Sequence, residues 1–361
     1  MQADPPPVRR RATVATTLLG VVCATLLLTG CASMSLDLGY YWQSINGHWS
    51  VLRSARPIDD WLADPGLDAK LRARLEKARE IRQYASQMLG LPDNGSYTRY
   101  ADLHRPFVVW NVFAAPEFSL QLKQWCFPVA GCISYRGYYD ADDARHYAKE
   151  LADQGLDVYV AGIPAYSTLG WTDDPLLNTF IQYPDAELAR LIFHELAHQL
   201  VYVKGDSTFN ESFASAVEEA GVDRWLTDTG TESMRAAFAA QTRRRREFVA
   251  LLQRHRDELA ALYAQASSDD ERRSAKQAQF AALQKDYAQL KSSWGGYTGY
   301  DRWFDQKLSN AQLGSVATYT DLLPGFQRLI REQHGDLPAF YNRVREIAKL
   351  DKSQRDSLLA P

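Results

Sequence analysis

The chain has 361 residues, of which 46% are hydrophobic and 24% are charged, and its formal net charge at pH 7 is −3. This length and balance predict a globular protein with a sizeable core. They exclude an intrinsically disordered chain, and the lack of a basic surplus argues against DNA or RNA as a partner.

The first 30 residues have the pattern of an export signal. Three arginines precede an apolar run that is too short and wrongly flanked for a typical membrane-spanning helix. The run ends in Leu28-Thr29-Gly30-Cys31, which resembles the lipobox of bacterial lipoproteins, so we expect cleavage before Cys31 and lipidation of its sulfur. A plain secretory signal and an uncleaved anchor are the alternatives. The pattern predicts a lipid-anchored protein of the bacterial cell envelope that faces the periplasm, and Ala32 favours the outer membrane.

Two cysteines remain for the folded protein once Cys23 leaves with the signal and Cys31 carries lipid. Cys126 and Cys132 flank the sequence FPVAG, whose proline and glycine favour a turn that would bring the two sulfurs together. An oxidising periplasm would let this disulfide form. A metal-binding pair and two free thiols are the alternatives.

The mature chain, residues 31–361, predicts a single domain of α+β class that is predominantly helical. A small β-sheet lobe is expected at about residues 55–183, because runs rich in β-branched and aromatic residues occur there between turn formers. The predicted elements of this lobe are an amphipathic helix over 67–89, strands over 107–113 and 158–163, and a short helix over 141–153.

Residues 184–230 predict two helices that carry the chemistry of the protein. Asp185 can cap the first helix, which we expect to run to about Val203. Gly205 then ends it, since glycine readily adopts the left-handed conformation that follows a helix.

Residues 231–293 predict a hairpin of two long helices. Apolar residues recur at helical spacing on both sides of a polar break at 267–270. This pattern predicts an antiparallel helical hairpin that projects as an arm. Further helices are expected over 294–361.

The first of the two central helices contains the pattern HExxH. His194 and His198 are four residues apart, so their imidazoles share one helix face at a separation that suits adjacent corners of a zinc tetrahedron. Glu195 lies beside them, where its carboxylate can accept a proton from the attacking water and pass it to the leaving amine. The alternative is a buried helix whose histidines bond within the core. Two imidazoles without partners in apolar surroundings would be costly, which favours the metal site.

A family resemblance identifies a third metal ligand. HELAH followed by NESFASAVE resembles the gluzincin metallopeptidases, and the second motif closely matches that of the membrane alanyl aminopeptidases. The resemblance implies a gluzincin-like zinc peptidase that holds one Zn²⁺ per chain. It implies that His194, His198 and Glu211 bind the zinc and that Glu195 is the catalytic base.

Neighbouring carboxylates complete the predicted site. Glu218 lies two helical turns after Glu211 on the same face and could orient a ligand, and Asp206 could accept the second ring N–H of a histidine. The alternative role of Glu211 is a capping box that begins at Thr208. In that case Glu218 or Glu219 would be the third ligand.

Three further groups are candidates for contacts with a substrate. Tyr300, in a glycine-rich segment, could stabilise the oxyanion of the tetrahedral intermediate. Residues 158–169 could offer an edge strand to an extended peptide. Asp173 or Asp174 could bind a substrate amine, although a solvated turn is the simpler interpretation of that pair.

Over almost the whole mature chain, the sequence also resembles a family of bacterial lipoproteins described as putative aminopeptidases. The matching segments are WCFPVAGC, AYSTLGW, FHELAHQ, FNESFAS and LPGF, together with the lipobox. The resemblance implies zinc-dependent hydrolysis of a peptide or protein substrate. The alternative is a non-catalytic envelope lipoprotein that binds a protein partner through the helical arm. Exopeptidase and endopeptidase action both stay open, and the sequence does not define an oligomeric state.

Overall fold

A computed structural model of the protein describes residues 38–127 and 131–360, without the side chains of 317–320. The predicted signal segment and Cys31 lie outside the described residues. Cleavage and lipidation at that site therefore stay predictions.

The chain divides into two units, residues 1–46 and 47–361. Of the first unit the structure describes residues 38–46, which are helical and belong to α1 (Leu38–Ser54). In the described part of the chain, no helix has the length and apolar character needed to span a membrane.

The described residues form an α+β fold that is mostly helical, which confirms the predicted class. Twelve α-helices occur in this part of the chain, and one 3₁₀ turn covers Asp301–Phe304. The helices after α1 are α2 (Ile58–Leu62), α3 (Ala69–Gln87), α4 (Ala141–Asp153), α5 (Asp185–His198), α6 (Ser207–Thr229), α7 (Glu232–Gln265), α8 (Asp269–Ser293), α9 (Asn310–Thr320), α10 (Leu323–Glu332), α11 (Leu337–Ala348) and α12 (Lys352–Leu359).

Eight short strands form three small sheets in the described residues. The strands are β1 (Arg56–Pro57), β2 (Arg99–Ala101), β3 (Val109–Pro116), β4 (Trp125–Phe127), β5 (Gly131–Ile133), β6 (Arg136–Tyr138), β7 (Leu156–Ile163) and β8 (Leu176–Leu177). The order β6-β3-β7 is antiparallel throughout, whereas β1-β2-β8 has one parallel pair, β2 with β8. The predicted strands over 107–113 and 158–163 correspond to β3 and β7.

The predicted disulfide joins Cys126 to Cys132 across the β4–β5 hairpin, where the two cysteines are directly opposite each other. This hairpin approaches the loop between α5 and α6. A Cβ atom on Gly131 would lie 2.7 Å from the backbone nitrogen of Gly205, and both glycines have positive φ. Only a residue without a side chain allows this approach.

The main core forms where α5 and α6 pack against each other and against α10 and α11. Phe213 of α6 is fully buried, and its ring contacts Phe326, Phe340 and Tyr341. Close packing of α5 on α6 depends on Gly221, because a Cβ atom there would lie 2.9 Å from the ring of Phe193. These contacts hold the two helices of the HExxH region in a fixed relation.

Helices α7 and α8 form the predicted antiparallel hairpin, with a second core that includes Phe248, Leu259 and Leu283. The part of α8 near the turn is tied to the β-sheet region by ion pairs. Arg273 binds Glu117, and Lys276 binds Asp157 at 2.7 Å. The sequence predicted a hairpin that projects as an arm. The hairpin does not project freely, because cations on α8 bind acidic groups at the end of β3 and in β7.

Replacing Phe213 by alanine should destabilise the protein, because it would leave a cavity among three other aromatic rings. We expect a loss of about 3–5 kcal/mol in the free energy of unfolding, measured by urea denaturation. Phe213→Leu keeps most of the volume and should cost less than about 1.5 kcal/mol. Equal losses for the two variants would contradict this account of the core.

Candidate metal centre

The candidate site lies where the end of α5 meets the start of α6. Helix α5 ends at His198 rather than near Val203, because the chain turns there and Gly205 adopts a φ of 78°. The turn is fixed by Asn210, whose side-chain amide binds both backbone groups of Val203 at 2.7 and 2.9 Å. Glu211 is therefore returned towards the histidine face of α5.

Three donor atoms converge at this point. The Nε2 atom of His194 lies 3.3 Å from Oε2 of Glu211, and the Nε2 atom of His198 lies 3.6 Å from the same oxygen. Donors about 2.0–2.1 Å from one tetrahedral ion would be about 3.3 Å apart. The three residues form a group that could hold a metal ion, with all donor atoms within 4.8 Å of one another. The donor set and its spacing fit a divalent metal.

The charges of the ligand set also favour a cation. Burial opposes the charged form of His194, but the hydrogen bonds that its ring donates to Glu211 and Glu218 outweigh burial and raise the pKa of His194 to about 10. Burial likewise opposes ionisation of Glu211, yet the two histidines lower its pKa to about 2. The carboxylate of Glu211 attracts a proton on Nε2 of His194 and would attract a metal ion at the same place.

Glu218 supports His194 from the opposite side of the ring. Its Oε2 atom lies 2.9 Å from Nδ1 of His194, and its side chain is 2% exposed. Arg190 and Arg245 bind the same carboxylate, at 3.2 and 2.6 Å. Burial alone would raise the pKa of Glu218, but these two guanidinium groups and His194 hold it well below its usual range. Nδ1 of His194 therefore donates to an anion, which directs Nε2 towards Glu211.

Glu195 is close to the ligand set without belonging to it. Burial raises the pKa of its carboxyl, the charges of His194 and His198 lower it, and the charge of Glu211 raises it again. A carboxyl near the metal ligands with a raised pKa is suited to accept and return a proton.

The structure does not support the capping role that was the alternative for Glu211. Helix α6 begins at Ser207, and its cap is Asp206, whose carboxylate accepts the N–H of Phe209 at 3.3 Å. The carboxylate of Glu211 faces the two histidines instead. Glu219, the other alternative ligand, binds Arg245 at 2.6 Å.

The prediction for Asp206 needs correction. Its buried carboxylate binds Arg355 at 2.7 Å and Lys352 at 3.4 Å, both from α12, rather than a histidine ring. Asp206 therefore connects the start of α6 to the end of the chain. The Nδ1 atom of His198 is buried and has no hydrogen-bond partner among the described residues.

Two of the candidates for substrate contacts, Tyr300 and strand β7, already have other partners within the protein. Tyr300 stacks on Phe248 with ring centroids 4.1 Å apart, and no hydrogen bond joins it to the metal ligands in the described part of the chain. Strand β7 is an edge strand, as expected, but the carbonyl oxygens of Val158 and Val160 already accept hydrogen bonds from Ser309 and Gln306. These two positions are therefore not open to an added peptide strand.

Several residues near the site were missed in the sequence analysis. Arg190 lies one helical turn before His194, so its place could have been found from helix periodicity. Arg245 lies 27 residues after Glu218, and no local pattern links the two. Tyr202 is near enough to Glu211 that, after burial, the charge of this carboxylate raises the tyrosine's pKa.

Comparison with known proteins supports one family. A family model described as "Putative aminopeptidase" matches residues 39–359, almost the whole of the described chain. Searches of curated proteins and of solved structures found no match.

Replacing Glu218 by glutamine should weaken metal binding about 10- to 100-fold, because His194 would lose its anionic acceptor. The matched control is Glu219→Gln, which removes the same charge from the next position but does not touch His194. Affinity can be measured by competition with a chelator of known metal affinity. An equal loss in both variants would show that only net charge matters.

Proposed function

The chain belongs to the putative aminopeptidase family, and on this basis we propose that it is a zinc-dependent peptidase of the bacterial cell envelope. The observation that carries the proposal is the convergence of His194, His198 and Glu211 next to Glu195. The site resembles that of the gluzincins, in which two histidines and a glutamate on the following helix hold zinc.

Zinc is the metal that this donor set favours. Two imidazoles and one carboxylate are typical of catalytic zinc, and three protein ligands leave a fourth position for water or substrate. When bound, zinc supplies a Lewis acid that polarises the scissile carbonyl and lowers the pKa of water. A structural zinc site would normally be closed by a fourth protein ligand.

Glu195 moves the protons of the reaction. Its carboxylate takes a proton from the attacking water as the water oxygen bonds to the carbonyl carbon. It then gives this proton to the amine nitrogen as the C–N bond breaks, so that one water is consumed per peptide bond. The raised pKa of Glu195 suits this exchange, because the group must both accept and release a proton near neutral pH.

A tyrosine hydroxyl is the group we expect to bind the developing oxyanion. Tyr202 is a stronger candidate than Tyr300, because it lies in the turn between α5 and α6, four residues after His198, whereas Tyr300 stacks within the aromatic cluster of the hairpin. Burial raises the pKa of Tyr202, so its hydroxyl keeps the proton that it would donate.

Attachment to a membrane through lipidated Cys31 is part of the proposal. It is supported by the lipobox and by the arginines that precede the apolar run. The Cys126–Cys132 disulfide fits an oxidising compartment such as the periplasm. The outer membrane is the proposed location, with exported peptides or proteins as substrates.

Glu195→Gln should keep the metal and lose hydrolysis, with kcat reduced about 10²- to 10⁴-fold. Bound metal and peptide cleavage are measured on the same samples. Glu219→Gln, which removes a carboxylate outside the site, and wild type stripped with a chelator are the controls. Unchanged cleavage by Glu195→Gln would refute the mechanism, and no cleavage by metal-loaded wild type would favour the non-catalytic lipoprotein.

A further inference from the structure

Asp174 is a buried carboxylate that lacks a cationic partner. The residue is 3% exposed, and its carboxylate accepts hydrogen bonds from the backbone N–H and the hydroxyl of Thr168, at 2.9 and 2.7 Å. No lysine, arginine or histidine forms an ion pair with it among the described residues. Burial raises the pKa of Asp174 to about 6, against these hydrogen bonds. A buried carboxylate is normally paired with a cation, so the charge of Asp174 is uncompensated and would stabilise a cation bound next to it.

Next to Asp174, the hydroxyl of Tyr97 is a second buried polar group that is not satisfied. Its side chain is 1% exposed, and its hydroxyl has no hydrogen-bond partner in the described structure. The residue has a φ of 64°, and its N–H donates to the carbonyl of Asp174 at 2.6 Å. A buried hydroxyl without a partner is costly, as is a tyrosine in the left-handed region. Both costs are concentrated where Tyr97 meets Asp174.

The two residues line one small cavity. Apart from Tyr97, Asp174 and Tyr166, the side chains that line it are apolar. The hydroxyl of Tyr166 already bonds Nδ1 of His48 at 2.7 Å, so the groups with free capacity are those of Tyr97 and Asp174. The free space holds a group about the size of one water molecule, which an ammonium group would match.

A chain of hydrogen bonds connects this cavity to the end of the HExxH helix, and the charge of Glu195 adds to burial in raising the pKa of Tyr97. The hydroxyl of Ser96 accepts a hydrogen bond from Gln199, the residue after His198, and another from the N–H of Asp174.

We propose that Asp174 and Tyr97 bind the α-ammonium group of a peptide substrate, which would make the protein an exopeptidase for unblocked N termini. This inference rests on the proposed peptidase function. An ammonium group would neutralise Asp174 and donate a hydrogen bond to the oxygen of Tyr97. An acetylated N terminus offers no charge and is too large for the cavity.

The test compares a fluorogenic peptide that has a free N terminus with its N-acetylated copy. Wild type should favour the free amine by at least about 10-fold in kcat/KM. Asp174→Asn should lose about 10- to 100-fold on the free amine, mainly through KM, and should bind zinc as wild type does. Asp173→Asn is the matched control, since it removes the same charge from the adjacent, exposed position.

Tyr97→Phe is a second, independent test, which applies even if Asp174→Asn does not fold. It removes a hydroxyl that forms no hydrogen bond with the residues that the structure describes, so it should not lower the melting temperature. If the hydroxyl binds the ammonium group, KM for the free-amine peptide should rise several-fold while the acetylated peptide is unaffected. An unchanged preference in this variant would overturn the role of Tyr97.

The outcomes separate this inference from the proposed function. Glu195-dependent cleavage of both peptides at equal kcat/KM would leave the peptidase standing and overturn the amine site. An equal loss on both peptides in Asp174→Asn would indicate a structural role and also overturn it. If wild type cleaves neither peptide, the proposed function fails. Calorimetric titration of both peptides into zinc-loaded Glu195→Gln then tests whether the amine site exists. Tighter binding of the free-amine peptide would support it, and equal affinities would refute it.

Discussion

The hydrogen bond between His194 and Glu218 is the interaction on which the candidate site depends. An imidazole that binds a metal has one proton, so a proton held on Nδ1 by Glu218 leaves Nε2, the nitrogen beside Glu211, as the one that can bind the metal. Glu218 can hold that proton only as an anion. A buried anion at this position is stable because Arg190 and Arg245 both bind it. The orientation of one metal ligand therefore depends on a charge balance that spans three helices.

This balance connects the metal site to the rest of the molecule. Arg245 belongs to the first helix of the hairpin and also binds Glu219, and the second helix is fastened to the β-sheet region through Lys276 and Asp157. The hairpin thus has a structural role in the site, which accounts for Arg245 and for Arg246, the second arginine that binds Glu219. A displacement of the hairpin would move Arg245 away from Glu218 and so weaken the hydrogen bond between Glu218 and His194.

The buried charges around Glu218 and around Asp174 are arranged differently. Around Glu218 each buried charge has an opposite partner, so these groups hold the structure in place. Asp206, another buried carboxylate, is likewise compensated by Arg355. Within the described part of the chain, Asp174 has no such partner, and the hydroxyl of Tyr97, which lines the same cavity, has no hydrogen bond. Compensated charges position the ligands, whereas an uncompensated one has capacity left for a substrate.

The sequence alone determined the features that depend on local geometry. His194 and His198 share a face because the helix period is local, and Cys126 and Cys132 can meet because only five residues separate them in the sequence. A motif resemblance identified Glu211. Only the tertiary structure decided that Arg245 compensates Glu218, that Asp206 pairs with α12, and that Tyr97 and Asp174 line one cavity. These contacts join segments tens to more than a hundred residues apart, and packing rather than spacing determines which remote side chains meet.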